Sequence, residues 1–364
     1  AEYKGARPDS LSPRQSRVRI KNDPDHLRWN PGHWSIAIDD LSLRKGNFRT
    51  IDPTSIPEEG YFDGLNIDFR DIAGDFKDVR WNNDSITALA KLSTVERSGF
   101  RVDSLKARIR FHPEAMEFDQ LVIQTPKSRL HHYFAMRYAT FDDLGYFITR
   151  VSMEGDFDEA EVHSDDIAYF APALKNWKTL MKVKGQIRGT VEDLHARNLI
   201  VSAGNNTYLD GTIRMNGLPD IDKTYIDFET DDFRTSYADV AAIFPALKNV
   251  RQPRLDNIQY LRFNGNFAGF INDFVTYGIV QTNLGNIASD LNMEIRPGKK
   301  TKYSGSLTST DFNLGAFLDV PLLGSIQFTT QIDGQGVTPA TLDAGLKGKV
   351  EVIEINGYPY RNIT

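Results

Sequence analysis

The 364-residue chain contains no cysteine. That excludes disulfides, thiolate metal sites and a cysteine nucleophile. Long hydrophobic runs are also missing: no stretch approaches the ~18 consecutive apolar residues of a spanning helix. Ala1 to Asp25 is polar and charged and does not read as a leader. There is no excess of basic charge. The net charge is −6 and the pI 5.7, which argues against a nucleic-acid binder. The local exception is Arg14, Arg17, Arg19 and Lys21, beside Pro8, Pro13 and Pro24. That segment reads as an exposed arm rather than a binding site. The chain opens without Met and closes at Arg361–Thr364 within a strand-like pattern. Both ends are expected to be cuts, with targeting segments lying outside them.

What is present suffices for folding. Hydrophobic residues make up 40% and charged residues 25%, mixed along the chain, unlike a disordered tail. The length suits two ordinary domains or one elongated repeat array. The dominant pattern is period-two alternation in short runs, the mark of a sheet with one apolar face. Trp34, Ile36 and Ile38 alternate with Ser35 and Ala37, and Leu105, Ala107, Ile109 and Phe111 with Lys106, Arg108 and Arg110. His132, Phe134, Met136 and Tyr138 form another run, followed later by Leu209, Gly211, Ile213 and Met215. Leu261 to Gly269 and Leu291 to Ile295 continue it. Turn residues separate the runs, as at Pro113-Glu114, Gly204-Asn205-Asn206 and Gly217-Leu218-Pro219.

Two segments have helical spacing instead. One is Ile167 to Leu174, entered by Ser164-Asp165-Asp166; the other is Val240 to Leu247, entered by Thr235-Ser236. Each runs into the same five residues, Pro-Ala-Leu-Lys-Asn, at Pro172–Asn176 and Pro245–Asn249, 73 residues apart. Lys184 to Gly189 corresponds to Asn264 to Gly269 at an offset of 80, which a seven-residue insertion around Arg251 to Asn257 reconciles. A weaker third copy begins at Thr310-Asp311-Phe312, echoing Asp231-Asp232-Phe233, and reaches Gly334-Gln335-Gly336. The expected organisation is an arm or loop over 1–30, a strand-rich region over 31–150, repeats over 151–235 and 236–309, and a partial third over 310–364. Stacked units of this kind make an elongated array. The expected fold class is therefore all-β: an elongated antiparallel β-sheet groove with a few short helices.

A search for chemistry finds little. Gly298-Lys299 lacks the earlier glycine of a phosphate-binding loop, and Gly334-Gln335-Gly336 is isolated. No Gly-x-Ser-x-Gly elbow is present. His131 and His132 are strand neighbours and point to opposite faces, so they cannot share an ion. His163 with Asp165 reads as a loop and helix cap more readily than as a metal pair. The acidic pairs Asp142-Asp143, Asp165-Asp166 and Asp231-Asp232 precede turns or apolar segments, where carboxylates cap amides. No enzyme activity, metal or cofactor is expected. The 22 Phe, 14 Tyr and 4 Trp fall mostly on the apolar phase of strands. A closed core and an open apolar groove would both require that.

Several segments resemble the TamB-type translocation and assembly module proteins of the Bacteroidetes. The string from Ile86 to Phe100, with Leu92-Ser93-Thr94-Val95-Glu96-Arg97-Ser98-Gly99-Phe100, is similar to a signature of that family. So are Leu121 to Ser128 with its Thr-Pro-Lys-Ser turn, Phe244 to Leu247 followed by Gly-x-x-x-Gly, and Asn356 to Arg361. The resemblance covers roughly residues 30 to 364. It implies an AsmA-like member of the repeating β-groove lipid transporters, anchored in the inner membrane and spanning the periplasm. Its implied partners are phospholipid acyl chains and an outer-membrane barrel protein of the Omp85 type. Its implied role is phospholipid transport to the outer membrane or outer-membrane protein assembly. The anchor and the family's C-terminal region are not found in the sequence.

The candidate groove-lining residues are Ile109, Phe134, Met136, Ile187 and Ile213, with Met215, Phe263, Phe267, Met293 and Leu307. A one-residue register error would reverse that face. Two rival expectations are a closed-core structural scaffold without ligand and a carbohydrate-binding or carbohydrate-cleaving β-solenoid. The second requires exposed aromatic platforms and paired carboxylates about 5–9 Å apart.

Overall fold

The computed structural model describes residues 30, 34–57, 59–296, 298–337 and 341–363. The expected arm over 1–30 thus lies, except for Asn30, outside the described residues. Eighteen strands form one antiparallel sheet. The first six are β1 (Ile36–Ile51), β2 (Asn66–Asn82), β3 (Ser85–Glu96), β4 (Arg101–His112), β5 (Ala115–Gln124) and β6 (Arg129–Arg137). Next come β7 (Ser152–His163), β8 (Leu180–Gly189), β9 (Asp193–Ala203), β10 (Thr207–Asn216), β11 (Tyr225–Thr235) and β12 (Leu261–Phe270). The last are β13 (Asp273–Thr282), β14 (Gly285–Glu294), β15 (Lys302–Asn313), β16 (Leu323–Gln335), β17 (Asp343–Ile355) and β18 (Tyr358–Ile363). Four short helices interrupt them: α1 (Phe147–Arg150), α2 (Ser164–Ile167), α3 (Tyr237–Ile243) and α4 (Leu314–Leu318).

Each strand pairs with the next in sequence, from β1–β2 to β17–β18, so the chain is one uninterrupted meander. Among the described residues β1 and β18 do not pair, and the sheet stays open as an elongated groove. Tight turns follow local chemistry. Asn356 and Gly357 join β17 to β18 with φ of 52° and 75°, the left-handed pair of a two-residue hairpin.

Bulges bend the strands and preserve their faces. In β5 the pairing slips between Asp119 and Leu121, with Gln120 at φ 52°. In β7 it slips between Phe157 and Ala160, with Glu159 at φ 53°. Equivalent slips fall between Thr230 and Phe233 in β11 and between Ser309 and Phe312 in β15. An extra residue flips the alternation, so Phe118 and Leu121, or Phe157 and Ala160, lie on one face despite a three-residue step.

Connections after odd-numbered strands line one margin of the sheet, and those after even-numbered strands line the other. Helices α2, α3 and α4 follow β7, β11 and β15, four strands apart on the first margin, while α1 lies on the second. The two Pro-Ala-Leu-Lys-Asn segments are 3-10 turns at matching places behind α2 and α3. The expected helices over 167–174 and 240–247 are each broken. Helix α2 ends at Ile167 and α3 at Ile243. Ala171 (φ −135°) and Phe244 (φ −118°) leave the helical region because each precedes a proline. The cap of α2 also differs from expectation: His163 Nδ1 accepts from the Asp165 N–H, and Ser164 is the first helical residue.

The loop between β1 and β2 joins the two margins. Its Phe62 donates its N–H to the Tyr169 carbonyl at 2.8 Å, on the first margin. The Phe62 ring meets Phe170 at 5.2 Å and Phe147, on the second margin, at 6.1 Å. On the inner face of β3 to β5 lies the buried apolar cluster of Ala88, Ala90, Ala107, Ile109 and Leu121, against which Phe76, Phe118 and Phe134 pack. The β2–β6 end is thus filled.

Candidate functional site: the inner face of the groove

Cross-strand neighbours share a face, so the register can be followed across the whole sheet. One row runs Ile109–Phe118–Phe134–Gly155–Ile187–Ala196. It continues Ile213–Phe228–Phe267–Thr276–Leu291–Gly305. A second row, nearer the second margin, passes through Met116–Met136–Met153–Gly189–Leu194–Met215 and on to Phe274–Met293–Tyr303. Nearer the first margin a third row reads Leu209–Phe233–Phe263–Val280–Ile287. Between the first and third rows lies a line of small side chains, Gly211–Thr230–Gly265–Gly278–Ser289, ending at Leu307.

All ten candidate residues fall on this one face. Ile109, Phe134, Ile187, Ile213 and Phe267 are in the first row; Met136, Met215 and Met293 are in the second. Phe263 is in the third, and Leu307 closes the line of small residues. They are not equivalent. Ile109 is 7% exposed within the filled end, and Phe263 is 9% exposed, whereas the other eight are half-buried. Beyond the filled end most inner residues are covered from the sides only. In β10, Gly211, Ile213 and Met215 are half-buried while Thr212 and Arg214 are exposed, and β13 alternates the same way.

The line of small residues spans five strands, β10 to β14. At 4.7–4.9 Å per strand it leaves a shallow trough across these strands, roughly 20 Å from end to end, interrupted at its middle, where the Phe263 ring leans over Gly265 and Gly278. The alternation did not reveal this trough, because a Gly or Thr on the apolar phase reads only as a weak position. Nor did it single out Met116, Met153 or Phe228. The Met153–Gly155–Phe157 phase carried that signal for Met153.

Over β4 to β8 the outer face is charged, whereas in β13 it carries the exposed Val275, Tyr277 and Ile279. A charge ladder crosses β4 to β8: Arg110–Glu117 at 3.7 Å, Glu117–Arg137 at 3.3 Å, Arg137–Glu154 at 3.1 Å and Glu154–Arg188 at 3.1 Å. Ala135, midway along it, is fully buried. Surface pairs such as these contribute little stability each, but over β4 to β8 they keep the outer face hydrated and distinct from the inner one.

Carboxylates act as clamps in the connections: Asp166 and Asp239 on the first margin and Asp143 on the second, whereas Asp231 and Asp232 lie inside β11 rather than at a cap. Asp166 accepts from Thr125 Oγ1 at 2.6 Å and from Ser128 Oγ, tying α2 to the preceding hairpin. Asp239 accepts from Asn205 N at 3.3 Å, Asn206 N at 2.7 Å and Thr207 Oγ1 at 3.0 Å, tying α3 to its own preceding hairpin. Asp165 is bound by Lys127 and Lys178, whose hydrogen bonds hold its carboxyl at about 2. Asp232 is held below the usual carboxylate range, first by Arg234 and then by Arg262, with burial opposing. Asp143 accepts from Ala139 N and Thr140 N, each at 2.9 Å. The insertion around 251–257 carries Arg254, which reaches Asp319 beyond α4 at 3.5 Å and spans neighbouring helical inserts.

Among the described residues no three His, Asp or Glu side chains gather as a metal site. Among the described residues no helix is long and apolar enough to cross a membrane. No family model, curated protein or solved structure matches the chain. The functional argument therefore rests on the groove itself.

Proposed function

We propose that this chain is a periplasmic stretch of a TamB/AsmA-like envelope protein that shields phospholipid acyl chains along its inner face and performs no catalysis. One observation carries the reading: apolar rows run in register across an open sheet, and most of their residues from β8 to β16 stay only partly covered. A closed-core protein would cover such residues with a second layer. Acyl methylenes can supply that cover, each contributing about 0.8 kcal/mol on leaving water. An acyl chain from one leaflet, whose layer is about 15 Å thick, would lie across about four strands of these rows at 4.7–4.9 Å each. Passive sliding along parallel rows requires no nucleotide or metal. The resemblance of several residue strings to TamB-type proteins is what suggests the periplasmic location, an inner-membrane anchor and an Omp85-type barrel as partner. The scaffold reading is favoured only at β2–β6, where a buried cluster fills the face.

The test is site-specific photo-crosslinking in cells. A benzophenone side chain at Phe228, on the inner face, is expected to yield a covalent phospholipid adduct by mass spectrometry. The same group at Glu229, on the outer face, is expected to yield none. Adducts at both positions or at neither would contradict the proposal.

A further inference from the structure

The chain has six methionines, and all six lie on the inner face. Five of them, Met116, Met136, Met153, Met215 and Met293, belong to the second row. Met181 lies near the opposite margin, between Val162 and Ala203. Met116, Met136 and Met153 are consecutive cross-strand neighbours, so three thioethers adjoin over two strand spacings of 4.7–4.9 Å. Each sits one residue inside its strand end, beside the second margin, and each is half-buried. Next to Met153 the row has Gly189, which offers no side chain to cover the sulfur. Leucine would make the same wall equally apolar. Among apolar side chains only methionine takes up an oxygen atom reversibly, becoming a polar sulfoxide.

We propose that the Met116–Met136–Met153 row is an oxidant-responsive modification site, and that its oxidation loosens the groove's hold on acyl chains; the second half rests on the lipid reading above. Hydrogen peroxide supplies the oxygen. An S–O bond forms at each thioether as the peroxide O–O bond breaks; each sulfur loses two electrons and each peroxide is reduced to water. Three adjoining sulfoxides then present a polar stretch where an acyl chain would need an apolar one.

The experiment treats the purified protein with hydrogen peroxide, removes the peroxide with catalase, maps oxidised peptides by mass and titrates dansyl-labelled undecanoic acid. The wild type is compared with the triple variant Met116→Leu, Met136→Leu, Met153→Leu, whose substitutions nearly conserve volume. The expected result is one oxygen on each of the three methionines and about tenfold weaker probe binding in the wild type after peroxide, with the triple variant binding the probe equally before and after the same treatment. Full oxidation at the three sites with unchanged affinity would overturn the proposal. So would sulfurs that resist a dose oxidising free methionine, or an equal loss of affinity in the triple variant. Failure of the unoxidised protein to bind the probe would instead refute the lipid reading, and the peptide map would still decide whether the row takes up oxygen.

Discussion

Leu291 and Asn292 are adjacent in β14 and face opposite ways. Leu291 stands on the inner face between Thr276 and Gly305, so it projects above smaller neighbours beside the trough. Asn292 is exposed on the outer face between Val275 and Ser304. Leu291→Asp places a carboxylate where an acyl chain is expected to lie. Displacing roughly two methylenes at about 0.8 kcal/mol each costs about 1.6 kcal/mol, or about 15-fold in affinity. Asn292→Asp adds the same charge one residue away while keeping the side chain's shape, and is expected to leave affinity within about twofold. Titration of dansyl-labelled undecanoic acid reads both, with far-ultraviolet circular dichroism confirming that each variant is folded. Equal weakening by the two substitutions would refute the face assignment and the groove argument built on it.

Other outcomes follow from the margins and the bend. Asp239→Ala removes three hydrogen bonds to the β9–β10 hairpin. It is expected to cost about 2 kcal/mol and to speed amide exchange at Asn205 and Asn206; unchanged exchange there would refute the clamp. Asp165 has its pKa depressed from 3.8 to about 2 by Lys127 first and Lys178 second. Its stabilising contribution is therefore complete above its unfolded pKa and is lost as pH falls from about 4 toward 2. Asp165→Asn is expected to flatten the acid limb of the stability curve over that window, and an unchanged slope would contradict the assignment. Gly185 adopts φ +136°, and a Cβ there would lie 2.7 Å from the Asn198 carbonyl oxygen and 3.0 Å from Leu199 Cα. Gly185→Ala is expected to destabilise by about 2–3 kcal/mol in urea unfolding, and an unshifted midpoint would show that the backbone has room to yield.

Much of this architecture was legible in the chain. Period-two alternation located the strands because each has one half-buried face, as the β10 run from Leu209 to Met215 illustrates. The repeated Pro-Ala-Leu-Lys-Asn string marked the equivalent inserts behind β7 and β11. Bulges were not legible: at Phe118–Leu121 and Phe157–Ala160 the apolar residues are three apart, which reads as a break although the face is unchanged. Helix lengths were overestimated because apolar spacing continued through Ala171 and Phe244, where the following proline forbids the helical backbone. The strap joining Phe62 to Tyr169, Phe170 and Phe147 depends on residues about a hundred positions apart, which no local pattern links. The trough was hidden because it is made of what its residues lack.

Whether lipid occupies this inner face is tested most directly by organic extraction and mass spectrometry of the purified protein, beside an unrelated soluble β protein prepared in parallel. Phospholipid is expected at a fixed ratio to the chain, above the control, and lowered by Leu291→Asp. Lipid no higher than the control would contradict the account and leave the apolar rows as the wall of a ligand-free scaffold.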